Sequence, residues 1–270
     1  MYYEAGIKEA KDTMNKINQI VLYGSGDCPL FEERTTEIIG PMVQSILTIM
    51  NNQESFLKSE KKRLHSLLED QHEYFKRAKH VHKVTRGKQD YEGETRNGIP
   101  HGVGLMHTKG EDWTNFGVWE NSVRHGINTI QSDDESYTGI YNHGEFEFGS
   151  YERTYKHKSS HYIGEFHDWK YEGLGMTIDG GVSEIGEFSN GELNGFAVSG
   201  SEYYKYIGQF RNGEINGVVL YLNRVHICTG VWMDGINVES YGSGISTQRK
   251  TLLWSVKNNI LLDCKITTQE

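Results

Sequence analysis

Residues 91–104 read YEGETRNGIPHGVG, and parts of this phrase return at a nearly constant spacing along the chain. The central glycine of the phrase recurs seven times, at intervals of 24, 22, 25, 22, 22 and 22 residues. These glycines are Gly93, Gly117, Gly139, Gly164, Gly186, Gly208 and Gly230. A period of this length is typical of repeat proteins, in which one small unit stacks on its neighbours and presents a long surface.

Each repeat has the pattern of a β-hairpin. Large rings stand two residues before and after most central glycines, as Tyr162 and Phe166 do around Gly164. Side chains two apart on a strand lie on the same face, so stacked repeats place these rings in rows. A pair such as Asn97-Gly98 then follows the second ring position, and this pair favours a type I′ turn between two strands.

The glycines also predict where side chains come close to the backbone. We interpret the central glycine as the surface on which a neighbouring ring lies, with a turn or bulge glycine as the alternative. Eleven residues later the chain has mostly small residues, such as Gly104 and Gly175, which would leave room for rings. The third repeat has Phe148 where a glycine is expected, which predicts a bulge or shifted turn near Gly149.

The phrase Tyr-x-Gly-x-aromatic-x-Asn-Gly, followed in the first repeat by His101, Gly102 and Gly104, resembles the MORN repeat, or "membrane occupation and recognition nexus" motif. The resemblance covers residues 89–244 of the 270-residue chain. It implies an elongated, single-layer antiparallel sheet of hairpins with a shallow groove. Family members act as scaffolds, often at the cytoskeleton, cilia or membranes. Standalone members bind partner peptides along the groove or form homodimers end to end.

The predicted fold class is α+β and mainly β, with three parts. Residues 1–88 form a helical region, residues 89–244 form seven hairpin repeats, and residues 245–270 form a cap. The cap fits a degenerate eighth repeat in which Trp254 follows Gly230 by 24 residues and Asn258-Asn259 is the turn. A short amphipathic helix is the alternative for this segment.

Apolar residues at helical spacing predict three helices in residues 1–88. The first carries Ile7, Ala10, Met14, Ile17 and Val21, and residues 24–29 end it. The second covers residues 41–57, with Pro41 in its first turn, and the third covers residues 59–83. These helices form either a small bundle docked on the first edge of the sheet or a coiled-coil or partner-binding arm.

Charge and composition indicate which partners and which cellular location to expect. The net charge is −9, and residues 91–240 hold 22 acids and 10 bases, which argues against a nucleic-acid partner. Three widely spaced cysteines without a pairing pattern fit a reducing compartment. The chain shows no signal-peptide pattern and no apolar run of about 20 residues. The expected location is cytoplasmic, with association to the cytoskeleton or to membranes.

Residues 76–88 are the exception to the acidic balance, because they contain no acid. Their bases are Lys76, Arg77, Lys79, Lys83, Arg86 and Lys88. A solvated helix face is one interpretation of this basic segment. The others are a surface for anionic lipid or an acidic protein tail, and attraction to the acidic repeats.

No catalytic, cofactor or metal site is predicted. The segments beside the repeats are too short for the methyltransferase or lipid kinase domains that some family members carry, and residues 24–26 lack the ending of a phosphate-binding loop. The pairs His80/His82 and His157/His161 lack supporting ligands. The recurring Glu94, Glu165 and Glu187 are interpreted as a solvated face.

The predicted function is therefore that of a non-catalytic scaffold whose groove binds a segment of a partner protein, because large rings dominate contact energies. The first predicted row of rings is Trp119, Tyr141, Phe166, Phe188, Phe210 and Trp232, and the second row is Tyr137, Tyr162 and Tyr206. The alternative is a membrane or cytoskeletal tether that uses the basic segment.

Overall fold

The structure is a computed structural model that describes the backbone of residues 2–23, 33–156, 158–223, 226–245, 250–257 and 260–268. It describes the side chains of residues 5–17, 41–156, 158–223 and 228–238. The helix end predicted at residues 24–29, His157 and the turn predicted at Asn258-Asn259 lie outside the described residues.

The chain divides into two compact units. The central unit is Ser55–Gly180, and the terminal unit joins Met1–Glu54 to Gly181–Glu270. Two helices precede the strands, α1 (Tyr2–Tyr23) and α2 (Glu33–Arg77). The first half of α2 belongs to the terminal unit and its second half to the central unit.

The strands of the central unit follow one another as antiparallel neighbours, each paired with the next. They are β1 (His82–Arg86), β2 (Gln89–Arg96), β3 (Ile99–Thr108), β4 (Thr114–Glu120), β5 (Val123–Gln131), β6 (Glu135–Asn142), β7 (Glu145–Tyr155), β8 (Lys158–His167) and β9 (Lys170–Asp179). In the described part of this unit, no helix interrupts the succession of strands.

The terminal unit repeats this arrangement, again with each strand antiparallel to the next. Its strands are β10 (Val182–Ser189), β11 (Glu192–Gly200), β12 (Tyr204–Arg211), β13 (Glu214–Asn223), β14 (His226–Met233), β15 (Ile236–Ile245), β16 (Lys250–Lys257) and β17 (Ile260–Thr268). The carboxyl-terminal segment therefore forms a strand pair rather than the alternative amphipathic helix. With 59% strand and 24% helix, the predicted mainly β fold of hairpins with amino-terminal helices is confirmed.

The backbone confirms the predicted hairpin turns. In the first repeat Asn97 has φ of 52° and Gly98 has φ of 72°, as a type I′ turn requires. Both turn residues have positive φ in all seven repeats: Asn97-Gly98, Asn121-Ser122, His143-Gly144, Asp168-Trp169, Asn190-Gly191, Asn212-Gly213 and Asp234-Gly235. The sequence pattern thus places the ends of the strands correctly.

A bulge interrupts strand pairing just after the central glycine. In the first repeat Gly93 lies opposite Gly104, yet Thr95 lies opposite Pro100. Gly102 has a φ of 95° within this bulge, which explains the glycine nine residues after the centre.

The bulge predicted near Gly149 is present in the third repeat but is one residue shorter. There Ile140 lies opposite Phe148, and Tyr141 lies opposite Phe146. The shorter bulge needs no glycine at the position of Phe148.

The interpretation of the central glycine as a surface for a ring is confirmed in three repeats, at Gly93, Gly139 and Gly164. It is wrong for Gly117, Gly186 and Gly208, where the facing position holds Asn128, Ala197 and Val219 and no ring lies on the glycine. A Cβ atom at Gly93 or Gly104 would overlap the ring of Tyr91. The Tyr91 hydroxyl donates a hydrogen bond of 2.8 Å to the carbonyl of Glu94, which holds the ring across both glycines. Tyr162 lies in the same way over the glycine pair of its own repeat and donates to a carbonyl at 2.8 Å.

The predicted division of the helices is wrong after the first one. Residues 41–57 and 59–83 do not form two helices, because α2 is continuous and contains Pro41. Nothing near residue 58 breaks a helix, and the Ser59 hydroxyl donates to the carbonyl of Phe56 at 2.8 Å, as a helical serine can. Helix α2 ends at Arg77 because residues 82–86 pair with β2 instead.

The apolar stripe of α1 is confirmed where side chains are described. Ile7, Ala10, Met14 and Ile17 are buried, and Val21 lies outside the described side chains. Within the terminal unit, Gly6 of α1 lies beside Ile49 and Gln53 of α2.

The helices cover a face of the strands rather than the first edge, so the expected docking on that edge is wrong. In the central unit His72 of α2 stacks on Phe116 of β4 with 3.7 Å between ring centroids. Lys61 of α2 forms an ion pair of 2.6 Å with Glu152 of β7. The physical reason lies in the residue before each central glycine, which is apolar in several repeats and gives the sheet a second face that must be buried.

Candidate partner-binding groove

The central unit has a concavity of about 520 Å³ on the sheet face opposite α2. Phe116, which contacts α2, alternates along β4 with Asn115 and Trp119, which line the concavity. We call six of the lining residues the aromatic groove: Trp113, Asn115, Trp119, Arg124, Tyr137 and Trp169. They come from β4, β5, β6, the approach to β4 and the turn between β8 and β9.

Trp169 is the most unusual residue of the aromatic groove. It occupies the second turn position, where five of the seven repeats have glycine, and its φ is 64°. A bulky residue is a genuine outlier at such a φ, and strained residues cluster at functional sites. Its side chain is 43% exposed. Its ring lies 5.4 Å from Tyr137 and 5.9 Å from Phe146, so the indole stands at the edge of a ring cluster.

Arg124 gives the aromatic groove a cation. Its guanidinium carbon lies 5.8 Å from the ring of Trp169 and 5.3 Å from the ring of Tyr141. Its Nη1 donates to Oδ1 of Asn115 at 2.9 Å, while its Nε is buried without a hydrogen-bond partner. Among the described residues no carboxylate forms an ion pair with Arg124. The groove can therefore accept an anionic group.

Most of the predicted ring rows are buried rather than exposed, which corrects the expectation of an open ring surface. Buried residues are Trp119, Tyr141, Phe166 and Tyr162 in the central unit and Phe188 and Phe210 in the terminal unit. Tyr137, Tyr206 and Trp232 are half-buried. The rings cover one another: Phe146 lies 4.4 Å from Phe166, and Tyr162 stacks on Tyr171 at 3.7 Å. Only Trp119 and Tyr137 of the predicted rows line the aromatic groove.

Sequence reasoning missed four residues of the groove: Trp113, Asn115, Arg124 and Trp169. Asn115 stands two residues before its central glycine, where four repeats have a ring. Trp113 lies before the start of a repeat phrase, and Arg124 lies between the turn and the bulge glycine, so neither belongs to the periodic pattern. Trp169 could have been found from the sequence, because a tryptophan there replaces glycine in a turn that requires positive φ.

Burial keeps the phenols of this face neutral. It raises the pKa of Tyr137 to about 12 and raises the pKa of Tyr141 well above its usual range. Near neutral pH these side chains supply rings and hydrogen-bond donors. They are poor candidates for acid–base catalysis, which needs a pKa near the working pH.

The recurring glutamates have a structural role, which corrects their interpretation as a solvated face. The bulge leaves one backbone N–H unpaired, and the glutamate accepts it. Val103 N donates to Glu94 at 2.8 Å, and Phe196 N donates to Glu187 at 2.7 Å. The Tyr74 hydroxyl of α2 also donates to Glu94 at 2.5 Å, so this carboxylate joins the helix to the bulge.

The basic segment is not one helix face, which corrects that interpretation. Lys76 and Arg77 end α2 and contact Glu73 at 2.8 and 3.4 Å. Lys83 lies on β1 and contacts Glu92 at 3.3 Å. Arg86, also on β1, donates to a backbone carbonyl, and Lys79 and Lys88 are exposed in the connections beside β1. Local acids thus compensate part of this charge.

Within the described residues, no helix is both long enough and apolar enough to cross a membrane. A scan against protein-family models found no match, and a search of curated proteins found none either. The likeness to MORN repeats consequently remains a resemblance carried by the repeated phrase.

Proposed function

We propose that this protein is a non-catalytic scaffold that binds a segment of a partner protein in the aromatic groove. The observation that carries the proposal is Trp169, an exposed indole in a strained turn position. It lies beside the guanidinium of Arg124, which forms no ion pair with a carboxylate of the described residues. A fold that needed only a turn would place glycine there, as five of the other six repeats do.

The groove chemistry defines the partner segment. Trp113, Tyr137 and Trp169 offer ring surface to an apolar side chain. Arg124 offers a charge-assisted hydrogen bond to an Asp or Glu side chain or to a terminal carboxylate. The segment that fits best therefore combines an apolar residue with a nearby carboxylate.

The groove residues are better suited to binding a partner than to catalysing a reaction. They supply rings, an amide and a guanidinium, and the nearby phenols stay neutral. The absence of catalysis stays a prediction, as do the cytoplasmic location, the homodimer and the tethering of the basic segment to anionic lipid or an acidic tail.

The test compares three full-length variants in affinity capture followed by mass spectrometry. Trp169→Ala and Arg124→Gln alter the aromatic groove, and Tyr155→Ala is the matched control because Tyr155 is an exposed aromatic residue of the central unit outside it. A protein retained by wild type and by the control, but lost by both groove variants, is the expected partner.

The captured partner then supplies a peptide for calorimetric titration. Removal of a central aromatic anchor costs about 2 kcal/mol or more, so we expect binding to weaken by at least about 30-fold in Trp169→Ala. Equal affinity of the peptide for wild type and for both groove variants would contradict the proposal.

A further inference from the structure

A second cluster of chemically active side chains consists of residues that do not line the concavity, although each follows or precedes a residue that does. Glu120, His125 and His143 each place one metal-binding atom within 4.8 Å of the others. Glu120 ends β4, His125 lies in β5, and His143 is the first residue of the turn between β6 and β7. The sequence did not predict this cluster, because its members come from different hairpins.

The backbone holds the three side chains together. Nε2 of His125 lies 3.9 Å from Oε2 of Glu120, and the rings of His125 and His143 are 5.1 Å apart. The N–H of Gly144 donates to the carbonyl of Arg124 at 2.9 Å. This bond fixes the turn that carries His143 next to the strand that carries His125.

The side-chain amide of Asn142 orients the ring of His143 for metal binding. Asn142 Nδ2 donates to Glu147 at 2.8 Å, so Asn142 Oδ1 is the acceptor for Nδ1 of His143, 2.8 Å away. In the neutral imidazole this hydrogen bond places the proton on Nδ1 and leaves the lone pair on Nε2. Histidine ligands of metals usually donate the other ring N–H to such an acceptor.

We propose that Glu120, His125 and His143 bind a divalent transition-metal ion such as Zn²⁺, with water completing the coordination. Two imidazoles with one carboxylate suit zinc, whereas magnesium and calcium prefer sites made of oxygen ligands. Tetrahedral zinc places its ligand atoms about 3.3 Å apart. The side chains of Glu120 and His125 are 44% and 41% exposed, so small rotations can close the remaining distance.

The bound ion would join two hairpins of the central unit. Glu120 and His125 belong to the hairpin of β4 and β5, and His143 belongs to the hairpin of β6 and β7. A ligand that binds only the folded chain stabilises it, so zinc bound to these three residues should raise the melting temperature.

The test is a titration of the full chain with Zn²⁺ against a chromophoric chelator. We expect wild type to bind one more equivalent than His125→Gln or His143→Gln. The control is His167→Gln, because His167 lies 3.8 Å from Asp168 in an exposed histidine–carboxylate pair to which no other described residue adds a third ligand. Asn142→Ala should keep the site but weaken it by about tenfold, as loss of a supporting hydrogen bond does.

Two further measurements keep the outcome decisive. Zinc should raise the melting temperature of wild type and of His167→Gln but not of the two ligand variants. X-ray absorption of the zinc complex of the unmutated chain should show two imidazoles and no sulfur. Equal zinc stoichiometry in wild type and His143→Gln, or a sulfur-bound spectrum, would overturn the proposal even if a variant folds poorly.

Discussion

At the scale of single residues, Trp169 carries the strongest functional signal. Backbone strain at a turn position with φ of 64° costs about 1–3 kcal/mol. Contacts of the Trp169 ring offset only part of this cost, because the side chain is 43% exposed. Trp119 is the opposite case, since it is 4% exposed and its indole donates to the carbonyl of Gly104 at 3.0 Å. Substitution of Trp169 should therefore mainly affect partner binding, whereas substitution of Trp119 should mainly affect stability.

We expect Trp169→Gly to change the free energy of unfolding by less than about 1 kcal/mol, because relief of strain offsets the lost ring contacts. Trp119→Ala should cost about 3–5 kcal/mol, as other buried aromatic truncations do. Urea unfolding of both variants measures this difference. A cost for Trp169→Gly as large as that for Trp119→Ala would show that Trp169 is a core residue.

At the scale of elements, the first repeat is a hairpin in which a ring lies on two facing glycines. Tyr91 covers Gly93 and Gly104, and Glu94 accepts the N–H that the bulge leaves unpaired. The recurring residues thus serve one local structure, in which the turn, the bulge and the ring fix the same strand register.

We expect Gly104→Ala to destabilise the protein by about 1–3 kcal/mol, because the new Cβ displaces the ring of Tyr91. Once Tyr91→Ala has removed the ring, the same glycine substitution should cost clearly less. A double-mutant cycle in urea measures this coupling. Additive effects of the two substitutions would mean that Gly104 is required for another reason.

At the scale of the whole molecule, the buried phenols link stability to alkaline pH. Burial raises the pKa of Tyr137 to about 12, and those of Tyr91, Tyr141, Tyr162 and Tyr171 are also raised by burial. An unfolded tyrosine ionises near pH 10, so above this pH the unfolded chain binds fewer protons than the folded one. Stability contributed by these groups is present below pH 10 and is lost as pH rises through their folded pKa values.

We therefore expect the urea midpoint to fall between pH 10 and pH 12 in step with the rise of phenolate absorbance on unfolding. Tyr137→Phe should make this fall shallower, because one group with a raised pKa is removed. Tyr155→Phe is the control, since Tyr155 is exposed. A midpoint that stays constant across this range would contradict the linkage.

The sequence alone determined the parts of the fold that depend on neighbours along the chain. Pairs such as Asn190-Gly191 placed the turns, and glycines at a nearly constant spacing placed the strands. Local backbone preferences and the alternation of side chains are sufficient for these features, because each repeat contains most of the same local signal.

Only the tertiary structure decided which side chains meet across repeats. It merged two expected helices into α2, set α2 against the face that contains Phe116, and buried most of the predicted rings. It also brought Arg124 beside Trp169, and Glu120 beside His143, although each pair is far apart in sequence. Such contacts depend on how neighbouring hairpins and a helix pack together, and a repeat period carries no information about residues that break it.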